Sequence, residues 1–209
     1  MIKAVLFDVD GVLIDSFDAN LKFLRDLFIK AGYKPIAKNT YLSMFHMSMM
    51  EVISVWTGSK DEGEIKRIWQ MGKDRVVPYP NNLLTSPEGY EQVIRKLHKK
   101  YSLGIVTSRI HNGIFTIPQL KQYKDYFQVA ISFEDTEKHK PDPEPLFLAA
   151  KKLNIDPGEI IYIGDALSDV QAAKSAHMKV IAYSKKNIPG ADINTSNFNK
   201  IPDLVDQLD

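Results

Sequence analysis

Short runs of apolar residues recur along the chain, and most of them are rich in β-branched side chains. They cover residues 3–7, 103–106, 128–131, 160–163 and 180–182. Continuous apolar runs of this length are typical of strands that are buried on both faces of a parallel sheet. Segments of helical periodicity separate the later runs. Strands that alternate with helices in this way predict an α/β fold.

The interval between the first two runs is too long for one crossover helix, and it carries three helical patterns. The first pattern ends at Gly32 and the second, over residues 41–56, ends at Gly58. Both glycines are suited to the position just after a helix. Asp61 with Glu64 resembles a capping box that opens the third helix.

A stretch rich in proline and asparagine, residues 77–82, follows the third helical pattern and is typical of a linker. We therefore expect two structural units. Residues 1–15 and 81–209 would form the α/β domain, and residues 16–80 would form a helical domain inserted into it. Because the insert leaves and returns near one edge of the sheet, we expect it to close over a site at that edge.

Composition narrows the function without identifying it. The formal net charge of the 209 residues is +1, which predicts no binding surface for nucleic acid or an anionic membrane. The chain has no cysteine, so disulfides and thiolate chemistry are excluded. Acidic residues interrupt the apolar N-terminus, and no apolar stretch approaches the roughly 20 residues of a membrane span. These features predict a cytoplasmic protein. As a separate expectation, the protein is a monomer or a homodimer.

Two aspartates directly follow the first predicted strand. Asp8 and Asp10 are separated by one residue and followed by Gly11. In an extended chain, this spacing places both carboxylates on one side, only a few ångströms apart. Such carboxylates repel each other unless they share a proton or a cation. A solvated turn closed by glycine is the alternative that this segment alone leaves open.

Polar residues also follow three other strands, and these favour a site over a simple turn. Thr107 and Ser108 follow the second run, Lys140 lies in the loop after the third, and Asp165 and Asp169 follow the fourth. The carboxyl ends of parallel strands meet at one edge of a sheet, where α/β proteins bind their ligands. Acids for a hard cation, hydroxyl and amide donors for an oxyanion, and one lysine are typical of magnesium-dependent phosphoryl transfer.

These motifs, in this order, resemble those of the haloacid dehalogenase (HAD) superfamily. The motifs are Asp8-x-Asp10, Thr107, Lys140 before a proline, and Gly164-Asp165-x-x-x-Asp169. The helical insert resembles the cap that members of the phosphoglycolate phosphatase-like and β-phosphoglucomutase-like branches carry just after the first motif. The resemblance implies a Rossmann-like parallel sheet with an α-helical cap. It also implies a phosphatase that acts on a small phosphorylated metabolite.

The resemblance also implies residue roles. Asp8 would be the nucleophile that forms an aspartyl-phosphate, and Asp10 would be the general acid and base. Mg²⁺ would be held by the carboxylates of Asp8 and Asp165 and by the main-chain carbonyl of Asp10. Asp169 would orient the waters on the metal.

The remaining motif residues would bind the phosphoryl group. By the same resemblance, Thr107, the main-chain amide of Ser108 and Lys140 would hold its oxygens. Arg109 follows directly and would either contact a substrate anion or lie on the surface as an ordinary arginine. His46, in a methionine-rich stretch over residues 44–50 of the insert, would either contact substrate or pack within the insert.

Other activities of the same scaffold are less well matched. Dehalogenases of the family lack the second aspartate of the first motif, and Asp10 is present here. The β-phosphoglucomutase branch carries a histidine in the first cap helix, which this chain lacks, so a phosphomutase is the alternative enzyme. Phosphonate cleavage needs a cap lysine, for which Lys22, Lys30 and Lys38 are candidates. A non-catalytic module that binds Mg²⁺ or a phosphorylated ligand is the alternative outside enzymes, although none of the motif residues is lost.

Overall fold

The computed structural model describes residues 1–45 and 47–209, so the expectation for His46 lies outside the described residues. The described residues form one parallel sheet of six strands in the order β3-β2-β1-β4-β5-β6. The strands are β1 (Ala4–Phe7), β2 (Ser102–Val106), β3 (Phe127–Ile131), β4 (Ile160–Gly164), β5 (Lys179–Tyr183) and β6 (Ile193–Thr195). The predicted α/β fold with a parallel sheet and a helical insert is confirmed.

Strand β1 lies at the centre of the sheet, and its four residues are fully buried, as its apolar sequence requires. Leu6 pairs in register with Gly104 on one side and with Tyr162 on the other. The sixth strand, β6, was not predicted. Its three residues are only partly buried or exposed at the edge of the sheet, so they lack the continuous apolar pattern of the other strands.

The chain divides into two compact units, residues 1–15 with 85–209 and residues 16–84. The first unit contains the sheet and five helices among its described residues. These helices are α5 (Tyr90–His98), α6 (Pro118–Lys121), α7 (Glu144–Leu153), α8 (Leu167–Ser175) and α9 (Ile201–Leu208). Helix α7 packs on β2 and β3, and α8 packs on β4 and β5. Their apolar faces and the strands bury a common core around Tyr162 and Leu146.

The described part of the second unit is helical. It contains α1 (Phe17–Lys30), α2 (Lys38–Met44), α3 (Met49–Thr57) and α4 (Glu62–Lys73). Its buried core is formed by apolar and aromatic side chains, among them Leu27, Phe28, Ile53 and Ile68. Residues 81–84, which the sequence analysis assigns to the α/β domain, cluster with this unit because a short turn at Asn81–Leu83 packs against α1.

The single helix expected over residues 41–56 is wrong, because two helices occupy this segment. Helix α3 begins after Ser48, whose side chain accepts a hydrogen bond from the Glu51 amide while Glu51 accepts one from the Ser48 amide. This reciprocal pair is a capping box, and it defines a new helix start inside the apolar pattern. Gly58, at φ +70°, ends α3 as expected.

The capping box expected at Asp61 and Glu64 is also wrong. Asp61 does cap α4, but its carboxylate accepts from the Gly63 amide at 2.9 Å. Glu64 pairs with Arg67 and accepts a hydrogen bond from the Tyr33 hydroxyl. Among the described residues, no helix combines the length and the apolar character needed to cross a membrane.

Candidate active site

Residues at the carboxyl ends of neighbouring strands form the candidate site. Asp8 follows β1, Thr107 follows β2 and Asp165 follows β4, while Lys140 lies between β3 and α7. Because β2 and β4 flank β1, the three strand ends lie side by side at one edge of the sheet. All of these residues belong to the α/β unit.

The Asp8 carboxylate is buried at the centre of the site, with 9% of the residue exposed. One of its oxygens accepts a hydrogen bond from the Val9 amide at 2.7 Å, and the other lies 3.0 Å from Lys140 Nζ. Burial raises the pKa of the Asp8 carboxyl to about 6; Lys140 opposes this shift, while Asp169 and Asp10 add to it. Asp8 is therefore an acid whose charge needs a neighbouring cation.

Two glycines allow the acidic side chains to approach the backbone closely. Gly11 has a φ of +79°, and a Cβ there would lie 2.0 Å from Asp165 Oδ2. At Gly164, a Cβ would lie 2.3 Å from Asp169 Cβ. Any side chain at either position would displace a carboxylate, so these glycines are required by the packing of the site.

Lys140 connects the acids of the site. Its side chain is 6% exposed, and its Nζ lies 2.8 Å from Asp169 Oδ1, 2.9 Å from Tyr162 Oη and 3.0 Å from Asp8 Oδ2. Burial disfavours the ammonium charge, but Asp169 and Asp8 outweigh it and hold the pKa of Lys140 well above its usual range. The lysine therefore remains charged inside the site, where an ammonium group can bind an anion.

Asp169 organises the loop after β4. Its Oδ2 accepts hydrogen bonds from the Asp165 and Ala166 amides, at 3.1 and 3.0 Å. Its Oδ1 lies 2.8 Å from Lys140 Nζ and 3.1 Å from Tyr162 Oη. Both carboxylate oxygens are thus held by protein groups, which suits a residue that positions its neighbours.

The acids form a cluster that fits a divalent cation. Asp8, Asp165 and Asp169 each offer one carboxylate oxygen, and these oxygens lie within 4.8 Å of one another. Burial, with the charges of Asp169 and Asp8, raises the pKa of Asp165 well above its usual range. Lys140 alone does not balance the charges of these three carboxylates, and an oxygen-rich site of this charge matches the preferences of Mg²⁺.

Asp10 lies in the turn that follows β1. Strand β1 ends at Phe7, and a tight turn follows in which the Gly11 amide donates to the Ile14 carbonyl at 2.8 Å. The Asp10 carboxylate pairs with Arg109 through two hydrogen bonds of 2.7 Å. The Asp10 charge also acts on Asp8, whose pKa it helps to raise, and the expected approach of the two carboxylates stays a prediction.

Thr107 lies at the end of β2 with 5% of the residue exposed. Its amide donates to the Ile131 carbonyl of β3, and its hydroxyl accepts from the Arg109 amide at 3.2 Å. The hydroxyl keeps its own proton for a further acceptor. Ser108, the next residue, is exposed at the same strand end.

Tyr162 is a buried member of the site that the sequence analysis did not single out. It is fully buried in β4, with its hydroxyl between Lys140, Asp169 and the Val106 carbonyl. A tyrosine inside an otherwise aliphatic strand is the signal that could have found it, because a buried phenol needs a hydrogen-bond partner.

The haloacid dehalogenase-like hydrolase family matches residues 5–183, a span that contains every motif residue from Asp8 to Asp169. The chain belongs to this family, as the motif order predicted. It is a hydrolase whose relatives are named phosphatases.

Two relatives and one solved structure are similar to nearly the whole chain. An N-acetylmuramic acid 6-phosphate phosphatase of Pseudomonas aeruginosa is 26% identical over 99% of this chain and 96% of its own. A phosphoglycolate phosphatase of Nitrosococcus oceani is 29% identical over 99% of this chain and 94% of its own. The crystal structure of a haloacid dehalogenase-like hydrolase from Bacteroides fragilis has a TM-score of 0.87 and 24% identity. The similarity covers 96% of this chain and 100% of the Bacteroides fragilis chain, and it establishes a shared fold.

Proposed function

We propose that this protein is a Mg²⁺-dependent phosphatase that hydrolyses a small phosphomonoester through an aspartyl-phosphate on Asp8. The observation that carries the proposal is the buried Asp8 carboxylate at the end of the central strand. It lies 3.0 Å from Lys140 and in one cluster with Asp165. A carboxylate with a neighbouring cation and a second acid is suited to attack phosphorus.

The first chemical step forms a bond between an Asp8 carboxylate oxygen and phosphorus. The bond from phosphorus to the ester oxygen breaks, and Asp10 donates a proton to the departing alcohol. In the second step a water molecule attacks the phosphorus of the aspartyl-phosphate while Asp10 accepts a proton from it. Inorganic phosphate leaves, and the Asp8 carboxylate is restored.

Lys140, Thr107 and the Ser108 amide would hold the phosphoryl oxygens. Lys140 keeps its positive charge in the buried site because Asp169 and Asp8 raise its pKa. The Thr107 hydroxyl accepts from the Arg109 amide and has its own proton to donate. Donors that are fixed before the reaction stabilise charge that develops in the transition state.

The Asp8 and Asp165 carboxylates and the main-chain carbonyl of Asp10 would hold the Mg²⁺ ion. Bound there, Mg²⁺ would offset the negative charge of the carboxylates and of the phosphoryl oxygens. Asp169, through its hydrogen bonds to the Asp165 and Ala166 amides, fixes the loop that carries the Asp165 ligand.

The relatives suggest where to look for the substrate. Their names specify phosphoglycolate and N-acetylmuramic acid 6-phosphate, both small phosphomonoesters. The purified protein should therefore be assayed for phosphate release from these two compounds and from p-nitrophenyl phosphate. Each assay should be run with Mg²⁺ and with EDTA. We expect Mg²⁺-dependent release from at least one compound.

Matched variants make the assay specific to the proposed site. Asp8→Asn should release no phosphate, whereas Asp203→Asn, which changes an exposed aspartate of α9, should match the unmodified protein. Equal rates in Mg²⁺ and EDTA would contradict the metal assignment. Phosphate release by Asp8→Asn, after mass spectrometry has excluded deamidation back to aspartate, would contradict the nucleophile.

A further inference from the structure

Arg109 and Asp10 form a two-point ion pair at the rim of the site. Arg109 Nε donates to Asp10 Oδ2 and Nη2 donates to Oδ1, each at 2.7 Å. The side chains are only 13% and 27% exposed. A guanidinium that engages both oxygens fixes the plane of the carboxylate as well as its distance, which a single hydrogen bond does not do.

Arg109 is itself held by the loop that follows β2. Its amide donates to Thr107 Oγ1 at 3.2 Å, and its carbonyl accepts from the Phe133 amide at 2.8 Å. Its Nη1 lies 3.5 Å from the Gly113 carbonyl oxygen. These contacts fix the position of the guanidinium relative to the Thr107 hydroxyl, which is proposed to bind the phosphoryl group.

The Asp10 backbone is fixed from the other direction. It lies in the turn after β1, next to Gly11, whose amide donates to the Ile14 carbonyl at 2.8 Å, and a β-bridge links Asp10 to Ile14. With the backbone fixed, only the two side-chain torsions of Asp10 remain variable. Arg109 restricts both, because turning either torsion would break one of the two hydrogen bonds.

We infer that Arg109 is a positioning residue that holds the Asp10 carboxylate in the orientation needed for proton transfer. The inference rests on the proposed function, in which Asp10 donates a proton to the leaving oxygen and later accepts one from the attacking water. A misplacement of about 1 Å costs roughly 100-fold in rate when reacting groups must be aligned. The guanidinium thus acts on catalysis through Asp10 and not through the substrate.

The role requires the forked shape of arginine and not its charge alone. Lysine at position 109 keeps one positive charge but presents a single ammonium, so it cannot hold both oxygens of Asp10 in one plane. Arg109→Lys therefore separates geometry from charge. Arg109→Gln removes the charge and serves as the second variant.

The test compares two substrates that differ in their need for proton donation. p-Nitrophenyl phosphate has a good leaving group, whereas an alkyl phosphate needs a proton on its departing oxygen. We expect Arg109→Lys and Arg109→Gln to lower kcat for the alkyl phosphate by about 10- to 100-fold, with a smaller loss for p-nitrophenyl phosphate and little change in KM. Asp10→Asn should show the same bias between the two substrates.

Two controls guard against a structural explanation. Arg95→Lys alters an exposed arginine that pairs with Glu91 on α5, and it should leave both substrates unaffected. The double variant Asp10→Asn with Arg109→Lys should be no slower than Asp10→Asn alone, because Arg109 acts through Asp10. A general loss of folding would lower both substrates equally.

Three results would overturn the inference while leaving the proposed function in place. They are equal losses for the two substrates in both Arg109 variants, full additivity in the double variant, and a raised KM with unchanged kcat. The last result would make Arg109 a ligand of a substrate anion. If Asp10→Asn itself shows no bias between the substrates, the proposed acid–base role fails, and this inference fails with it.

Discussion

Both units of the molecule bury an apolar core, but among the described residues only the α/β unit also buries charged side chains. In the α/β unit, the carboxylates of Asp8 and Asp169 and the ammonium of Lys140 are enclosed at the end of the sheet. In the described part of the helical unit, the buried core consists of apolar and aromatic side chains such as Phe28 and Ile53. Burying the apolar side chains stabilises the fold directly. Burying the charged groups costs free energy unless each charge is paired.

This difference separates residues kept for chemistry from residues kept for folding. A buried charge cluster such as that around Lys140 contributes little net stability, because desolvation offsets the attraction of its members. Its presence therefore points to a task at the site. Substitutions in the cluster should change turnover more than stability, and substitutions in the helical core should do the reverse.

The largest effect is expected for Asp8→Asn, which should abolish turnover and leave the fold intact. Asparagine keeps an oxygen that can accept from the Val9 amide and removes a charge that burial disfavours. Phosphate release and thermal melting, measured on the same sample, check this. A variant that unfolds would show that Asp8 belongs with the stabilising residues.

Asp10→Asn should be the next largest change. Loss of acid–base assistance lowers the rate by roughly 10²–10⁴. The variant should still respond to Mg²⁺, because the proposed ligand from this residue is its main-chain carbonyl. Titrating the rate against Mg²⁺ measures both quantities. A normal rate would remove Asp10 from the chemistry.

Asp165→Ala should act mainly through the metal. Removing a carboxylate ligand should raise the Mg²⁺ concentration needed for half-maximal activity by about tenfold or more, since even residues that only support metal ligands contribute 10–100-fold. Asp203→Ala is the matched control on the surface of the same unit. An unchanged Mg²⁺ dependence would mean that the metal ligands are misassigned.

Metal binding should also depend on pH. The pKa of Asp8 is raised to about 6 by burial, so below that value the metal-free carboxyl holds a proton that Mg²⁺ must displace. Above it, the ionised carboxylate destabilises the metal-free fold, and bound Mg²⁺ relieves that cost. Added Mg²⁺ should therefore raise Tm more at pH 8 than at pH 5. An equal increase at both values would contradict the link between the cation and the buried acid.

The smallest effect on the chemistry should come from the helical core. Ile53→Ala removes a fully buried side chain of α3 and should lower the free energy of unfolding by about 2–5 kcal/mol. Val55→Ala, an exposed change in the same helix, is the control and should cost far less. The Mg²⁺ concentration for half-maximal activity should be the same in both variants. If Ile53→Ala alone changed this Mg²⁺ concentration, the residues of the helical core would also affect the chemistry, and the proposed separation would be wrong.

The sequence predicted the parallel sheet well, because each buried strand carries a continuous apolar run that can be recognised from its own residues alone. It did not predict β6, whose edge position removes the need for that pattern. It also merged α2 and α3, because both helices bury apolar faces in one core and only the local hydrogen bonds of Ser48 and Glu51 mark the second start.

The candidate site was predictable where a residue type at a strand end carries the chemistry. Asp8, Lys140 and Asp165 could be identified in this way, and their catalytic roles stay predictions. The pairing of Arg109 with Asp10 could not, because it joins the turn after β1 to a loop that lies 99 residues further along the chain. Long-range pairs of this kind have no periodic signature in the sequence.

The most direct test of the central claim is to trap the phosphorylated enzyme. Enzyme mixed with substrate and Mg²⁺ is quenched in acid within its first turnover and treated with borohydride, which reduces an acyl phosphate to an alcohol. Peptide mass spectrometry then reads position 8. The account predicts homoserine at this position in substrate-treated enzyme and none in Asp8→Asn. Unmodified aspartate at position 8 in every sample quenched during the first turnover, from enzyme that releases phosphate in the steady state, would contradict the aspartyl-phosphate mechanism.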